Sequence, residues 1–170
     1  WNITQIKTDT NNRSITFAQN KWIIQAEMAF PQWVLGMSSF SCVGDNIVAA
    51  FAQEGMWTLA LLQENGSIQI IEQPFNEFSG LHAYQNRLVA IASSSLIGEG
   101  IFEIDLLDKS WEHTPISSFS LDIKNISIGE SFWFIGSNDK NVHAWYYPPL
   151  HSSTELNPLL VRSHSGPTGM

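Results

Sequence analysis

Two stretches of this sequence superpose without a gap, 44 residues apart: "TLALLQENGSIQ" at 58–69 and "FEIDLLDKSWEH" at 102–113. Each reads as strand, tight turn, strand. In the first, Asn65-Gly66 is the pair favoured in a two-residue type I′ hairpin, where both positions need positive φ. In the second, Lys109-Ser110 occupies the turn. An earlier copy, "QIKTDTNNRSIT" at 5–16, turns at Asn11-Asn12. A further strand matches upstream of each later hairpin: "NIVAAF" at 46–51 and "RLVAIA" at 87–92. A unit of four strands in roughly 40–45 residues has the period and strand count of a propeller blade.

The rest of the chain agrees with a β architecture. No long stretch keeps a 3.6-residue apolar period behind a capping residue. Short runs rich in β-branched and aromatic residues are frequent: "NIVAAFA" (46–52), "MWTLALL" (56–62), "SIQII" (67–71), "RLVAIAS" (87–93), "IFEIDLL" (101–107) and "SFWFIGS" (131–137). Gly, Asn, Asp, Ser or Pro bounds each of them. The seven Trp residues suit stacked sheets, between which flat rings pack well. An antiparallel sandwich also has short, evenly spaced strands. The repeat of the hairpin at the blade period favours the propeller.

The blades are expected at 1–30 (partial), 31–74 and 75–117, about two to three in all. Closed rings need at least about four. The chain is therefore expected to be part of a ring, or to complete one by self-association through exposed blade faces. After residue 117 the character changes. "ESFWFIGS" (130–137) and "NVHAWYYP" (141–148) read as a hairpin around Asn138-Asp139-Lys140, ended by Pro148-Pro149. "LLVRS" (159–163) then reads as a compact apolar strand of the kind buried in a parallel or mixed sheet. The expected division is 1–122 for the blades and 123–170 for the first strands of a second domain.

Composition excludes some partners. The 44% hydrophobic and 14% charged residues are too apolar for a disordered segment. The net charge is −8 and the eight basic residues are scattered, so no patch faces phosphates and no nucleic-acid partner is expected. No apolar run approaches the ~20 residues of a membrane helix, so no membrane partner is expected either. Cys42, the one cysteine, rules out an internal disulfide and reads as a small buried hydrophobe. A cytoplasmic location is expected. The chain starts at Trp1 rather than Met, so the natural N-terminus is expected upstream.

Candidate chemistry is sparse. His82, His113, His143, His151 and His164 pair with no other His or Cys at ligand spacing, so neither a metal nor a cofactor is expected. His82 and His143 read as structural, and His113 as half exposed. Glu103 and Asp105 share a strand face and read as a solvated face rather than an acid–base pair. "GEG" at 98–100 reads as a turn, not a phosphate loop.

Three segments, "QAEMAFPQWVLGMSSF" (25–40), "VHAWYYPP" (142–149) and "PLLVRSHSGPTG" (158–169), resemble the prolyl oligopeptidase family of serine peptidases, nearest to its acylaminoacyl-peptidase and dipeptidyl-peptidase-like bacterial members. In that family a β-propeller precedes an α/β-hydrolase domain. The resemblance implies a mainly all-β chain: partial propeller, then the truncated start of the hydrolase. It further implies that the Gly166 backbone N–H is an oxyanion-hole donor, supported by His164, Ser165 and Pro167. Such a glycine turn lets backbone donors approach where a Cβ would block them. Ser165 stands where the family usually has Gly. Glu27, in "QAEMAF", is not expected to hold a substrate amine as propeller glutamates of some dipeptidyl peptidases do, because the surrounding strand resembles non-dipeptidyl relatives.

The implied activity is hydrolysis of short aminoacyl or acylaminoacyl peptides by a Ser–His–Asp triad, with the propeller gating access. No Ser in the chain has Gly two places before and two after, so the Gly-x-Ser-x-Gly elbow and the triad are absent. The chain is expected to be an inactive fragment of such a peptidase. The rival reading is a non-catalytic propeller-like binding or assembly module. A third, a propeller enzyme working in its own central channel, lacks the inward polar residues it needs.

Overall fold

The computed structural model describes residues 2–30, 34–118, 122–151 and 156–163. The chain divides into two compact units, Trp1–Ser117 and Ser118–Met170. Among the described residues, regular structure is almost entirely antiparallel β. It comprises β1 (Thr4–Asp9), β2 (Ser14–Asn20), β3 (Phe40–Val43), β4 (Asn46–Gln53), β5 (Met56–Leu62), β6 (Ile68–Ile70), β7 (Glu77–Tyr84), β8 (Arg87–Ser93), β9 (Gly100–Asp105), β10 (Trp111–Pro115), β11 (Glu130–Ile135) and β12 (Asn141–Tyr146). Two single helical turns, Ile123–Asn125 and Ser137–Asp139, lie in the second unit.

The first unit holds the β1–β2 hairpin and two four-stranded meanders, β3-β4-β5-β6 and β7-β8-β9-β10. Each meander falls inside one of the repeat units read from the sequence. Their inner faces share a core of Val48, Ala50 and Leu59 from one sheet with Phe78, Leu88, Ala90, Phe102 and Ile104 from the other. The opposite face of β4 and β5 is buried as well: Ala49, Phe51, Ala60 and Leu62 pack on Trp22 and Met28. This two-sided burial is why "NIVAAFA" runs apolar without alternating. β8, covered on one face only, alternates instead: Leu88, Ala90 and Ala92 are buried while Val89 and Ile91 are 38% and 39% exposed. Each fully buried Leu contributes about 1.5–3 kcal/mol relative to exposure.

Beyond Ser39, which accepts from the Ala50 amide, β3 no longer lines β4. Glu27 takes over that edge and exchanges both backbone bonds with Ala52, at 2.9 and 2.7 Å. β3 and β7 are linked by Leu81 N–H to the Ser38 carbonyl (3.1 Å) and by Ala83 N–H to Ser41 Oγ (2.9 Å).

The turns differ from the sequence expectation in an instructive way. Leu62 pairs with Ile68, and Gln63 N–H donates to the Ser67 carbonyl, so three residues form the loop at Glu64–Gly66. Gly66 N–H bonds the Gln63 carbonyl, and Gly66 has φ +91° while Asn65 stays negative. This is a three-residue turn closed by a left-handed glycine, not the type I′ pair. The positive-φ pair occurs at Glu54 (+53°) and Gly55 (+76°), where Gln53 pairs with Met56 and leaves two residues between. Register is set by which residues must be buried, and the turn type follows from it.

A second loop recurs. In β1–β2 the Asp9 carboxylate accepts from Asn11 N–H, and Arg13 closes the loop at φ +50° before Ser14. In β9–β10 the Asp105 carboxylate accepts from Leu107 N–H, and Lys109 closes the loop at φ +66° before Ser110. These are four-residue loops rather than the two-residue turns expected at Asn11-Asn12 and Lys109-Ser110. Asp9, held first by the Asn11 and then the Asn12 amide, has its pKa lowered from its ordinary 3.8. Asp108 is lowered by the Ser110 hydroxyl and then the Ser110 amide. Both therefore stabilise the folded chain fully above the ordinary carboxylate value and lose that contribution as pH falls through the folded value. NMR titration should show both carboxyls below 3.8; values at or above it would contradict the loop geometry.

In the second unit β11 pairs with β12, with Ile135 opposite Asn141. Gly136 N–H bonds the Lys140 carbonyl at 2.8 Å, and Asn138 (+60°) and Asp139 (+55°) form the turn at the expected place. β12 stops before Pro148, as expected from proline's missing donor.

Candidate functional site

The residues expected to build an oxyanion hole, His164, Ser165, Gly166 and Pro167, lie outside the described residues. The segment leading to them is described and is not a strand. Leu159, Leu160 and Val161 are 77%, 92% and 82% exposed, and no described residue pairs with them. The expected buried strand at 159–163 is corrected accordingly: an apolar run becomes a strand only where neighbours supply its ladder bonds.

The second unit does hold one Ser–His contact. Ser131 and His143 lie diagonally on one face of the hairpin, with Ser131 Oγ 2.8 Å from His143 Nε2. His143 also rests against Trp133 (5.1 Å between centroids) and Trp145 (5.6 Å, edge-on). A nucleophile and a base are thus within reach, but a working triad also needs a third group orienting the base. Here the two indoles take that place, and the arrangement fits a structural role for His143. Sequence reasoning missed the pair because it depends on cross-strand register; the one available signal was that both residues fall on alternating positions of paired strands.

In the first unit an open groove of about 360 Å³ runs beside β3, lined by Thr4, Trp22, Phe40, Cys42, Asp45 and Glu64 among others. Cys42 is exposed, which corrects the expectation of a buried residue. The reason is topological: β3 is an edge strand, so the cover given to its neighbour β4 does not reach it. Glu64, part of that lining, pairs with Lys21 at 3.1 Å. The Glu27 carboxylate accepts from Ala29 N–H at 3.1 Å, an arrangement that braces the bridge to β4.

Several of the other candidate residues have structural partners. Glu103 forms an ion pair with Arg87, and Asp105 holds its own loop, so the two carboxylates act separately. His113 is half-buried against Phe75 at 4.7 Å, over Gly100, where a Cβ would collide with its imidazole. His82 is exposed on the uncovered face of β7. Among the described residues no three His, Cys, Asp or Glu side chains could hold a metal ion. No described helix is long and apolar enough to cross a membrane.

No protein-family profile matches the chain, and no curated protein matches it. Solved structures do. A puromycin-hydrolysing peptidase of Mycobacterium tuberculosis matches 78% of the chain with a TM-score of 0.71 at 20% identity. Puromycin hydrolase matches 90% with a TM-score of 0.70 at 22% identity, and a variant of it in complex matches 85% with 0.68 at 22%. The chain spans only 21–23% of the length of these proteins. It therefore has the fold of a segment making up about a fifth of these puromycin-hydrolysing proteins.

Proposed function

We propose that the chain is part of a serine peptidase of the prolyl oligopeptidase family, joining propeller blades to the opening hairpin of an α/β-hydrolase domain. The observation that carries this reading is the pair of four-stranded meanders stacked face to face, matched with TM-scores of 0.68–0.71 by puromycin-hydrolysing proteins. On this reading the two meanders and the β1–β2 hairpin are blades that restrict access to small substrates. Gly166 supplies a backbone donor to the oxyanion, and His164, Ser165 and Pro167 shape its loop. Aminoacyl or acylaminoacyl peptide bonds are cleaved by acyl transfer to a serine, with a His base and an Asp behind it, all outside these 170 residues.

The outer face of β7–β10 supports the blade assignment. Val89, Ile91 and Ile101 stand exposed there beside the Arg87–Glu103 pair, as on a sheet whose stacking neighbour is elsewhere. Without that neighbour the chain self-associates through this face.

The test uses the purified chain beside the longest product of the gene that encodes it. At high concentration the chain should elute from size exclusion as an oligomer. It should neither release product from puromycin or aminoacyl and N-acetyl-aminoacyl chromogenic peptides nor react with a serine-directed phosphonate. The longer product should do both. Turnover or labelling by the 170-residue chain would refute the assignment of catalysis elsewhere, and a clean monomer would refute the stacking face.

A further inference from the structure

Asn65-Gly66 is the sole Asn-Gly pair in the sequence, and it sits in the β5–β6 loop with Asn65 exposed. Asparagine followed by glycine is chemically vulnerable. The Gly66 amide nitrogen, unshielded by a Cβ, attacks Asn65 Cγ. The N–Cγ bond forms and the Cγ–Nδ2 bond breaks. The side-chain nitrogen leaves as ammonia, taking up the proton lost from the Gly66 amide. Water then opens the cyclic imide at either carbonyl, leaving aspartate or isoaspartate at position 65. No oxidant or reductant takes part.

The loop opposes this step at both reacting atoms. Gly66 N–H is committed to the Gln63 carbonyl at 2.9 Å, so its nitrogen is not free to lose the proton. Asn65 Oδ1 accepts from Ser67 N–H at 2.8 Å, which holds the side chain over Ser67 instead of over the attacking nitrogen. We infer that Asn65 is a site of spontaneous amide-to-acid conversion, gated by opening of the three-residue turn that presents it.

The position gives the conversion a structural consequence. The Gln63 carbonyl that receives Gly66 N–H also receives Trp22 Nε1 at 2.8 Å. Isoaspartate routes the backbone through the former side chain and lengthens the loop by one carbon. The carbonyl that anchors Trp22 closes that altered loop, through its bond from Gly66 N–H. Conversion therefore loosens the joint between the 21–28 segment and β5.

The experiment incubates the chain at mildly alkaline pH, folded in buffer and unfolded in concentrated guanidinium. Peptide mapping follows the exchange of amide for acid at each Asn, and an isoaspartyl methyltransferase reports the isomer. Asn65 should convert first among the asparagines of the unfolded chain, and about tenfold or more slowly when folded, since two hydrogen bonds must open together. A Gly66→Ala chain, compared only in guanidinium so that folding plays no part, should convert more slowly. Equal rates for the folded and unfolded chain would overturn the gating. Faster conversion at another asparagine in guanidinium would overturn the site.

Discussion

Replacing Phe102 with alanine should destabilise the first unit by about 3–5 kcal/mol. Phe102 is fully buried, and its ring meets three others: Phe75 at 5.1 Å, Phe78 at 6.2 Å and Trp111 at 6.2 Å. It stands on the inner face of β9, where the core shared by the two meanders is centred. Truncation removes the transfer free energy of the ring and leaves a cavity between two sheets that cannot collapse independently. Domains are stable by only about 5–15 kcal/mol, so the loss takes from about a fifth of that stability up to all of it. Guanidinium unfolding followed by fluorescence measures the effect. Phe102→Leu, which keeps most of the volume, should cost roughly 1–2 kcal/mol. A Phe102→Ala loss below about 1 kcal/mol, the cost of an ordinary substitution, would mean that the meanders do not share this core.

Trp22→Ala carries the second large effect, again about 3–5 kcal/mol. Trp22 is 3% exposed and covers the face of β4 and β5 that turns away from the other meander, against Ala49, Ala60 and Leu62. Its indole N–H reaches the Gln63 carbonyl at 2.8 Å. Trp22→Phe separates the two contributions. It keeps most of the apolar cover but loses the hydrogen bond, and should cost about 1–2 kcal/mol. The Gln63 carbonyl is not orphaned by this change, because Gly66 N–H still donates to it. Equal losses for the two variants would show that the hydrogen bond dominates and that the apolar cover contributes little.

Most strands were legible from composition and spacing. "NIVAAFA", "MWTLALL", "RLVAIAS" and "IFEIDLL" all lie where β4, β5, β8 and β9 form, and the repeat at 58–69 and 102–113 falls on equivalent hairpins of the two meanders. β7 was harder to read: "EFSGLHAY" mixes polar residues with a glycine, and the strand bulges between Ser79 and His82 with Gly80 at φ +61°. Its existence depends on its neighbour β8, which gives it a ladder. The candidate site was legible only as a resemblance, in His164 to Pro167, and those positions lie outside the described residues.

The sequence by itself determined the β class, the four-strand repeat and the strands with enough β-branched and aromatic residues to form wherever a partner is offered. It also determined where turns must fall, because Gly, Asn, Asp and Pro interrupt the apolar runs. Only the tertiary structure decided the turn types, the exposure of Cys42, the contact of Ser131 with His143 and the absence of a strand at 159–163. Each of these depends on register or on a neighbouring strand. Register follows from burying one set of side chains against another sheet, and a local run of residues does not contain the surface it will be buried against.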